Sequence, residues 1–530
     1  MSEQNLYLRP NVVVEPLIDR WYAWSHLISP GTAAMNITHR HLKIMQSFIN
    51  APQVHIAAVA NPKMLGGPFI SYGSDRVDQI RELITKTKRE RAQMIAFAEA
   101  IQQLDDLLRT HADGHSLEPL YERVPGLLRG YLELVYDLGN RPSFRLIEAL
   151  LYQSPFYDVS AQSLMLSLIS QDDRPFVLST PRLDSETSVH ITTPFANPAI
   201  DDLFAMKRTP RPFPWIKERM SVADGDDAVF HSFLTEEQPK PYDGYSGDGM
   251  RWRYFGHACI LVETKDMSIL TDPVLSYTFE SGISRYCYED LPDVIDYVLI
   301  THNHQDHIMF ETILQLRCRI KCVVVPRCSG GSLQDPSLKL LLQRIGFTNV
   351  IELDELEGVH AGDVTITGLP FLGEHADLDI RSKLAYLVRL RHRSLIFAAD
   401  SCNLEPMLYE HVQRLVGDVD ILFLGMECDG APLTWIYGPL ITRPVQRTMD
   451  QSRRLSGSNC RKGIDIVRRF HCKQVYVYAM GQEPWLNYIM SVKYTDQSGP
   501  IVESNALIEH CKKDGIIAER LFGEKEILLP

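Results

Sequence analysis

The 530-residue chain predicts an α+β protein in two parts. A helix-rich N-terminal domain is expected over 1–240, and a C-terminal domain of apolar strands ending in polar loops over 249–530. Three observations predict this division. Apolar side chains recur at helical spacing between Ser74 and Thr110. The stretch 234–249 is rich in Pro, Gly and charge, as linkers are. Val298-Leu299-Ile300 then runs directly into Thr301-His302-Asn303-His304-Gln305-Asp306-His307, the pattern of a strand feeding a functional loop.

In the N-terminal half, Val77, Ile80, Leu83, Ile84, Ala92, Ile95, Ala98, Ile101, Leu104 and Leu107 mark one apolar helix face. Leu117–Leu138 and Phe144–Leu151 continue in helical style, and Phe176–Thr193 reads as strands. No catalytic motif, internal repeat or low-complexity tract is present. A domain of this size without a site of its own is expected to hold a partner, form a homodimer or cover an active site, and its apolar stripe calls for a covering surface. In the C-terminal half, Arg251–Glu263 reads as a strand and Ser268–Pro273 as a second, after a turn at Lys265-Asp266. Glu405–Leu415 has helical spacing. Ser394–Ser401, Ile421–Met426 and Val475–Tyr478 read as buried strands, the first carrying Asp400 at its end.

Composition narrows the class. A content of 45% hydrophobic and 23% charged residues suits two buried cores. A net charge of −13 argues against nonspecific nucleic-acid binding. No apolar run reaches membrane-span length, and Met1-Ser2-Glu3-Gln4-Asn5 lacks the basic start of a secretory signal. The ten cysteines lie between Cys259 and Cys511 without a C-x-x-C pair, so a reducing, cytoplasmic setting is expected.

The chemistry is concentrated in one run. His302 and His304, two apart in an extended segment, point the same way. Asp306 and His307 follow after a turn and suit a second ion a few Å away, as two-metal sites require. H-x-H-x-D-H is too dense in ligand types for an ordinary polar loop. This motif resembles that of the metallo-β-lactamase superfamily, together with the G-H-A-C of Gly256–Cys259, the T-D-P of Thr271–Pro273 and the strand ending in Asp400. The resemblance covers roughly 249–500. It implies a four-layer αββα sandwich with metals at one edge of the strands and Asp400 bridging them, but it implies no particular reaction.

The departures from the hydrolases are more informative. A zinc hydrolase of this kind places a third histidine where Leu369–Asp377 stands, and there Glu374 competes with His375. It also supplies a late histidine, whereas after Asp400 only His411, His471 and His510 remain, each in a structural or surface context. A site with this many carboxylates favours iron or manganese over zinc and is typical of oxygen-activating di-iron proteins. These features resemble the non-haem di-iron β-hydroxylases of nonribosomal peptide antibiotic pathways, the chloramphenicol-pathway type. That resemblance implies ligation of two irons by His302, His304, Asp306, His307, Glu374 and Asp400. It further implies O₂ as co-substrate, external electrons from a donor the sequence does not identify, and β-hydroxylation of an amino acid carried as a thioester on a synthetase carrier domain.

Two other readings compete. In a dizinc hydrolase His375 replaces Glu374, and in a metal-dependent scaffold nothing is catalysed. Secondary candidates are His257 and Asp272 as supports of ligands, and Glu427 as a substitute for the late histidine. His360 reads as part of a hairpin turn. The basic set Arg453, Arg454, Arg461, Lys462, Arg468 and Arg469 reads as a solvated helix face, or as a surface for an acidic carrier domain.

Overall fold

The computed structural model describes residues 4–530. Its C-terminal half consists of two seven-stranded sheets packed face to face. The first runs Val350–Leu353, Ile320–Pro326, Ile295–Leu299, Ser268–Thr271, Cys259–Glu263, Met250–Gly256 and Lys525–Leu529. The second runs Gly358–Ala361, Val364–Leu369, Ala385–Leu390, Arg393–Phe397, Ile421–Gly425, Gln474–Tyr478 and Ile517–Arg520. Side chains alternate across a strand, so Trp252, Tyr254, Ile260 and Val262 of the first sheet meet Tyr386, Val388, Phe397 and Phe423 of the second in a dry layer. Helices Pro406–Val416, Cys460–Arg469 and Gly499–Lys513 cover the outer face of the second sheet. Phe310–Leu316 and Leu338–Arg344 cover that of the first. The layers are αββα, as expected.

The strands Ser268–Thr271, Ile295–Leu299, Ile320–Pro326 and Val350–Leu353 are mutually parallel, as are Arg393–Phe397, Ile421–Gly425, Gln474–Tyr478 and Ile517–Arg520. Parallel strands bring their carboxyl ends to one edge, where open α/β sheets hold ligands.

Several local expectations are corrected. Arg251–Glu263 is itself a hairpin, because Gly256 and His257 adopt φ of 110° and 50° and reverse the chain. Leu132–Tyr136 and Pro142–Leu146 pair as an antiparallel hairpin rather than continuing a helix. Leu132 and Leu134 alternate inward there, a period of two that the surrounding helical spacing disguises. Within 176–193 only Ser188–Thr192 is a strand. His360 lies on Gly358–Ala361, exposed, with the turn following it. The long helical stripe divides at Arg91 into Val77–Glu90 and Ala92–His111, where Arg91 turns inward to pair with Asp19 and Asp158.

The N-terminal half does not close a core of its own. One apolar cluster runs from Phe97, Ile101 and Leu164 through Phe310 to Leu270, Val298 and Val323 of the first sheet. The joint is pinned by charge. Glu311, on the helix that follows the metal-type motif, accepts from Tyr22 (3.0 Å) and Arg174 (2.8 Å). Arg174 also donates to Glu15 at 2.6 Å, and Arg182 donates to Glu15 at 2.9 Å. Burial pushes Glu15 up, but the guanidinium groups of Arg182 and Arg174 overcome it and hold the carboxyl at about 2.

A carboxyl held below its unfolded value contributes stability above about pH 4.5 that is lost as the pH falls through about 2. Thermal unfolding should therefore be flat near neutrality and fall steeply under acid. Glu15→Gln should destabilise the protein by about 3–5 kcal/mol at neutral pH, since it leaves two buried cations short of a partner. Urea titration checks this, and a loss under 1 kcal/mol would rule out the lock.

Candidate metal centre

Four chain reversals build the site. His257, Asp272, Glu374 and Ala399 have φ of 50°, 34°, 69° and 45°. Left-handed backbone costs a non-glycine residue about 1–3 kcal/mol and persists where surrounding structure enforces it. In the Glu374 loop, Lys383 Nζ holds the Gly373 carbonyl at 3.1 Å and Arg453 Nε holds that of Ala376 at 2.8 Å. The result is convergence from both sheets on one buried point.

His302, His304, Asp306, His307, Glu374 and Asp400 come together there, all buried. His304 Nδ1 lies 2.9 Å from Glu374 Oε1, and His302 Nε2 lies 3.6 Å from Glu374 Oε2. Asp400 Oδ2 stands 3.0 Å from His307 Nε2 and 3.8 Å from His302 Nε2, between the two ends of the motif. Three overlapping groups have ligand atoms within 4.8 Å of one another: His302, His304 and Glu374; His302, His307 and Asp400; and His257, Asp306 and His307.

His302 Nε2, Glu374 Oε2 and Asp400 Oδ1 are buried without a hydrogen-bond partner. Orphaned polar atoms are costly and rare in folded proteins, and three aimed into one cluster fit a site made for cations. Burial pushes the Glu374 carboxyl up to about 7, against the pull of His304. Burial lowers His302 further from charge, the neutral state in which imidazole ligates.

The surrounding residues hold these groups in place. Asp272 accepts from the Thr301 amide (2.7 Å) and hydroxyl (2.6 Å) and sits 2.8 Å from His307 Nδ1, so that His307 Nε2 faces the cluster. His257, expected only as outer support, brings its Nε2 within 3.1 Å of Asp306 and 3.2 Å of His307. His375 borders the cluster without joining its three ligand groups: its ring packs 4.5 Å from that of His304, and its Nδ1 lies 3.5 Å from Glu374 Oε2 but 2.8 Å from the Tyr437 hydroxyl. Tyr437 also meets His304 Nε2 at 2.9 Å, a residue no sequence motif marks. Glu427 accepts from Tyr494 and from the Gly430 amide rather than facing the histidines.

Residues 7–239 match the family model for the diiron non-heme beta-hydroxylase N-terminal domain, and 268–433 match that for a beta-lactamase superfamily domain. The 4-amino-L-phenylalanyl-[CmlP-peptidyl-carrier-protein] 3-hydroxylase of Streptomyces venezuelae is 40% identical over 98% of this chain and 99% of its own. The chain belongs to the di-iron non-haem β-hydroxylases. The crystal structure of CmlA, a diiron beta-hydroxylase from the same organism, superposes with a TM-score of 0.93 at 39% identity, covering 100% of both chains. A UPF0173 protein of Pyrococcus abyssi is 32% identical over 33% of this chain and 69% of its own length.

The cluster opens into a cavity of about 440 Å³ whose lining includes His304, Asp306, Glu374 and Asp400 together with Trp435, Ile436 and Met490. His411, His471 and His510 are exposed, away from it. The basic set does not form one face: Arg454 binds the carbonyls of Asp429 and Gly430, while Arg468 and Arg469 pair with Asp514 and Glu410. Among the described residues no helix is long and apolar enough to cross a membrane.

A proton on Glu374 competes with a metal, so iron affinity should fall as the pH drops through about 7. Asp272→Asn should cost about 10–100-fold in iron affinity without unfolding the protein, because the orientation of His307 is lost. Chelator competition followed by iron analysis measures both, and an unchanged affinity would remove Asp272 from the site.

Proposed function

We propose that the chain is a di-iron oxygenase that hydroxylates Cβ of an amino acid tethered as a thioester to a nonribosomal peptide synthetase carrier domain. The observation that carries this reading is the geometry of Glu374: its carboxylate meets His302 and His304, while His375 faces Tyr437. A carboxylate in the place of the hydrolases' third histidine adds an anionic oxygen donor, suited to iron in its higher oxidation states.

In this reading His302, His304 and Glu374 would hold one iron and Asp306 and His307 the other, with Asp400 within reach of both sets. His257 stands close enough to complete the second set. Two irons bound there would pass two external electrons to O₂, so that with two protons one oxygen atom enters Cβ–H as Cβ–OH and the other leaves as water. The protein's own part is orientation and exclusion of water. Asp272 and Thr301 keep His307 turned inward, Tyr437 steadies His304, and Trp435, Ile436 and Met490 offer the substrate an apolar wall. The relative acts on a 4-amino-L-phenylalanyl carrier; the apolar wall here suits an amino acid with a large side chain.

The N-terminal domain (1–240) is proposed to provide the partner surface and a homodimer contact, with 249–530 carrying the metals. Ten unpaired cysteines fit a reducing cytoplasm, in which external electrons keep the irons reduced.

Chemically reduced enzyme with O₂ should add one oxygen, about 16 mass units, to an aminoacyl carrier and leave the free amino acid nearly untouched, since tethering supplies orientation. Thioester hydrolysis without oxygen insertion would favour a dizinc hydrolase instead. Glu374→His should lose iron or gain zinc and abolish hydroxylation, whereas His375→Ala should retain two irons. The reverse pattern in metal analysis would exchange their roles. Because the two halves share one apolar cluster, 249–530 expressed alone should aggregate or fail to accept the carrier substrate. Full activity of that fragment on the carrier would refute the proposed role of the N-terminal half.

A further inference from the structure

A second cavity, about 590 Å³, lies beside the catalytic one, and Gly66, Pro432 and Trp435 line both. The Trp435 indole stands as a partition between them, its N–H held by the Gly66 carbonyl at 2.9 Å. The outer cavity is lined by three basic side chains, His39, Arg40 and Lys43. They come from the π-helical turn Ile37–His41 and the helix after it, and π turns concentrate at functional sites.

Arg40 is the telling residue. It is 8% exposed. One guanidinium nitrogen, Nη2, donates to the carbonyls of Trp435 and Ile436 (2.7 and 2.9 Å), while Nη1 is buried with no partner at all. Among the described residues neither Arg40 nor Lys43 has a carboxylate partner, although the chain carries a net charge of −13. Buried charges are ordinarily paired. A buried, unpaired arginine beside an exposed lysine, on a cavity joined to a catalytic one, is the arrangement that receives an anionic ligand.

The carrier-bound substrate, on the reading proposed above, is the distal end of a 4′-phosphopantetheine arm. That arm presents a phosphodiester at the carrier surface, an uncharged pantetheine chain, and the thioester at its tip. We propose that the outer cavity is the channel for this arm, with Arg40, Lys43 and His39 binding the phosphodiester and Trp435 marking the passage to the metal wall. Lys43, exposed at the rim, meets the phosphate from outside, and Arg40 meets it from within.

The test is binding by full-length, iron-loaded enzyme, measured calorimetrically with 4′-phosphopantetheine, pantetheine and inorganic phosphate. Wild type should bind 4′-phosphopantetheine at least about tenfold more tightly than pantetheine, and more tightly than phosphate, with the preference shrinking in high salt. Arg40→Met and Lys43→Glu should each bring the preference over pantetheine close to one. Lys43 is solvent-exposed, so its substitution keeps the test valid should Arg40→Met disturb the Trp435 contact. Equal binding of the two pantetheines by wild type, or an undiminished preference in both variants, would overturn the proposal. Phosphate binding as tightly as 4′-phosphopantetheine would also overturn it, leaving an anion site without a channel. The measurement needs no turnover. A protein that discriminates the phosphate yet fails to hydroxylate a loaded carrier would uphold the channel and refute the reaction instead.

Discussion

The structure depends on one unfavourable interaction held in place: three carboxylates forced together with imidazoles in a buried pocket. Asp306, Glu374 and Asp400 would repel one another if left unscreened, and burial weakens the water that would otherwise separate their charges. Cations relieve this, which is why orphaned atoms of His302, Glu374 and Asp400 face inward rather than toward hydrogen-bond partners. The scaffold supplies the constraint. Two sheets meet across a tightly packed aromatic layer, and the carboxyl ends of their parallel strands cannot separate without opening it.

The surrounding architecture extends that constraint into the N-terminal half. Glu311 begins one turn beyond the last motif residue and binds Tyr22 and Arg174 of the other half. Arg40, also from that half, holds the backbone of the short helix Thr434–Tyr437, whose Tyr437 touches His304. Two struts therefore run from the N-terminal half, one to the helix that follows the metal-binding run and one to the short helix whose Tyr437 touches His304. A segment with no catalytic motif still decides where catalytic groups stand.

Fold and chemistry separate clearly. The C-terminal half matches the beta-lactamase superfamily domain, and within it the loop carrying Glu374 is unusually wound. Gly373, Glu374, Ala376 and Asp377 all adopt positive φ, of 79°, 69°, 51° and 58°. That winding turns Glu374 toward His304 and His375 toward Tyr437. On the proposed ligation, that backbone direction offers the site an oxygen donor in place of a nitrogen donor, a choice that bears on which metal it favours.

By itself the sequence determined the metal-binding run, the strands around it and the carboxylate excess, because each is a matter of local spacing and residue type. His302 and His304 share a side by strand periodicity alone, and Asp400 ends a visibly apolar strand. It left open the choice between Glu374 and His375, since neighbours on a left-handed loop take directions that no period predicts. It understated His257, whose approach to Asp306 depends on a reversal at Gly256, and it left Tyr437 unmarked, 133 residues from the histidine it touches. The hairpin at Leu132–Leu146 was hidden because buried leucines at period two lie between helices of the same composition. Only the tertiary structure decided that the two halves share one core and that a buried arginine at position 40 faces a cavity without a counter-charge. Such facts arise from contacts between segments far apart in the chain, and spacing along a sequence carries no record of them.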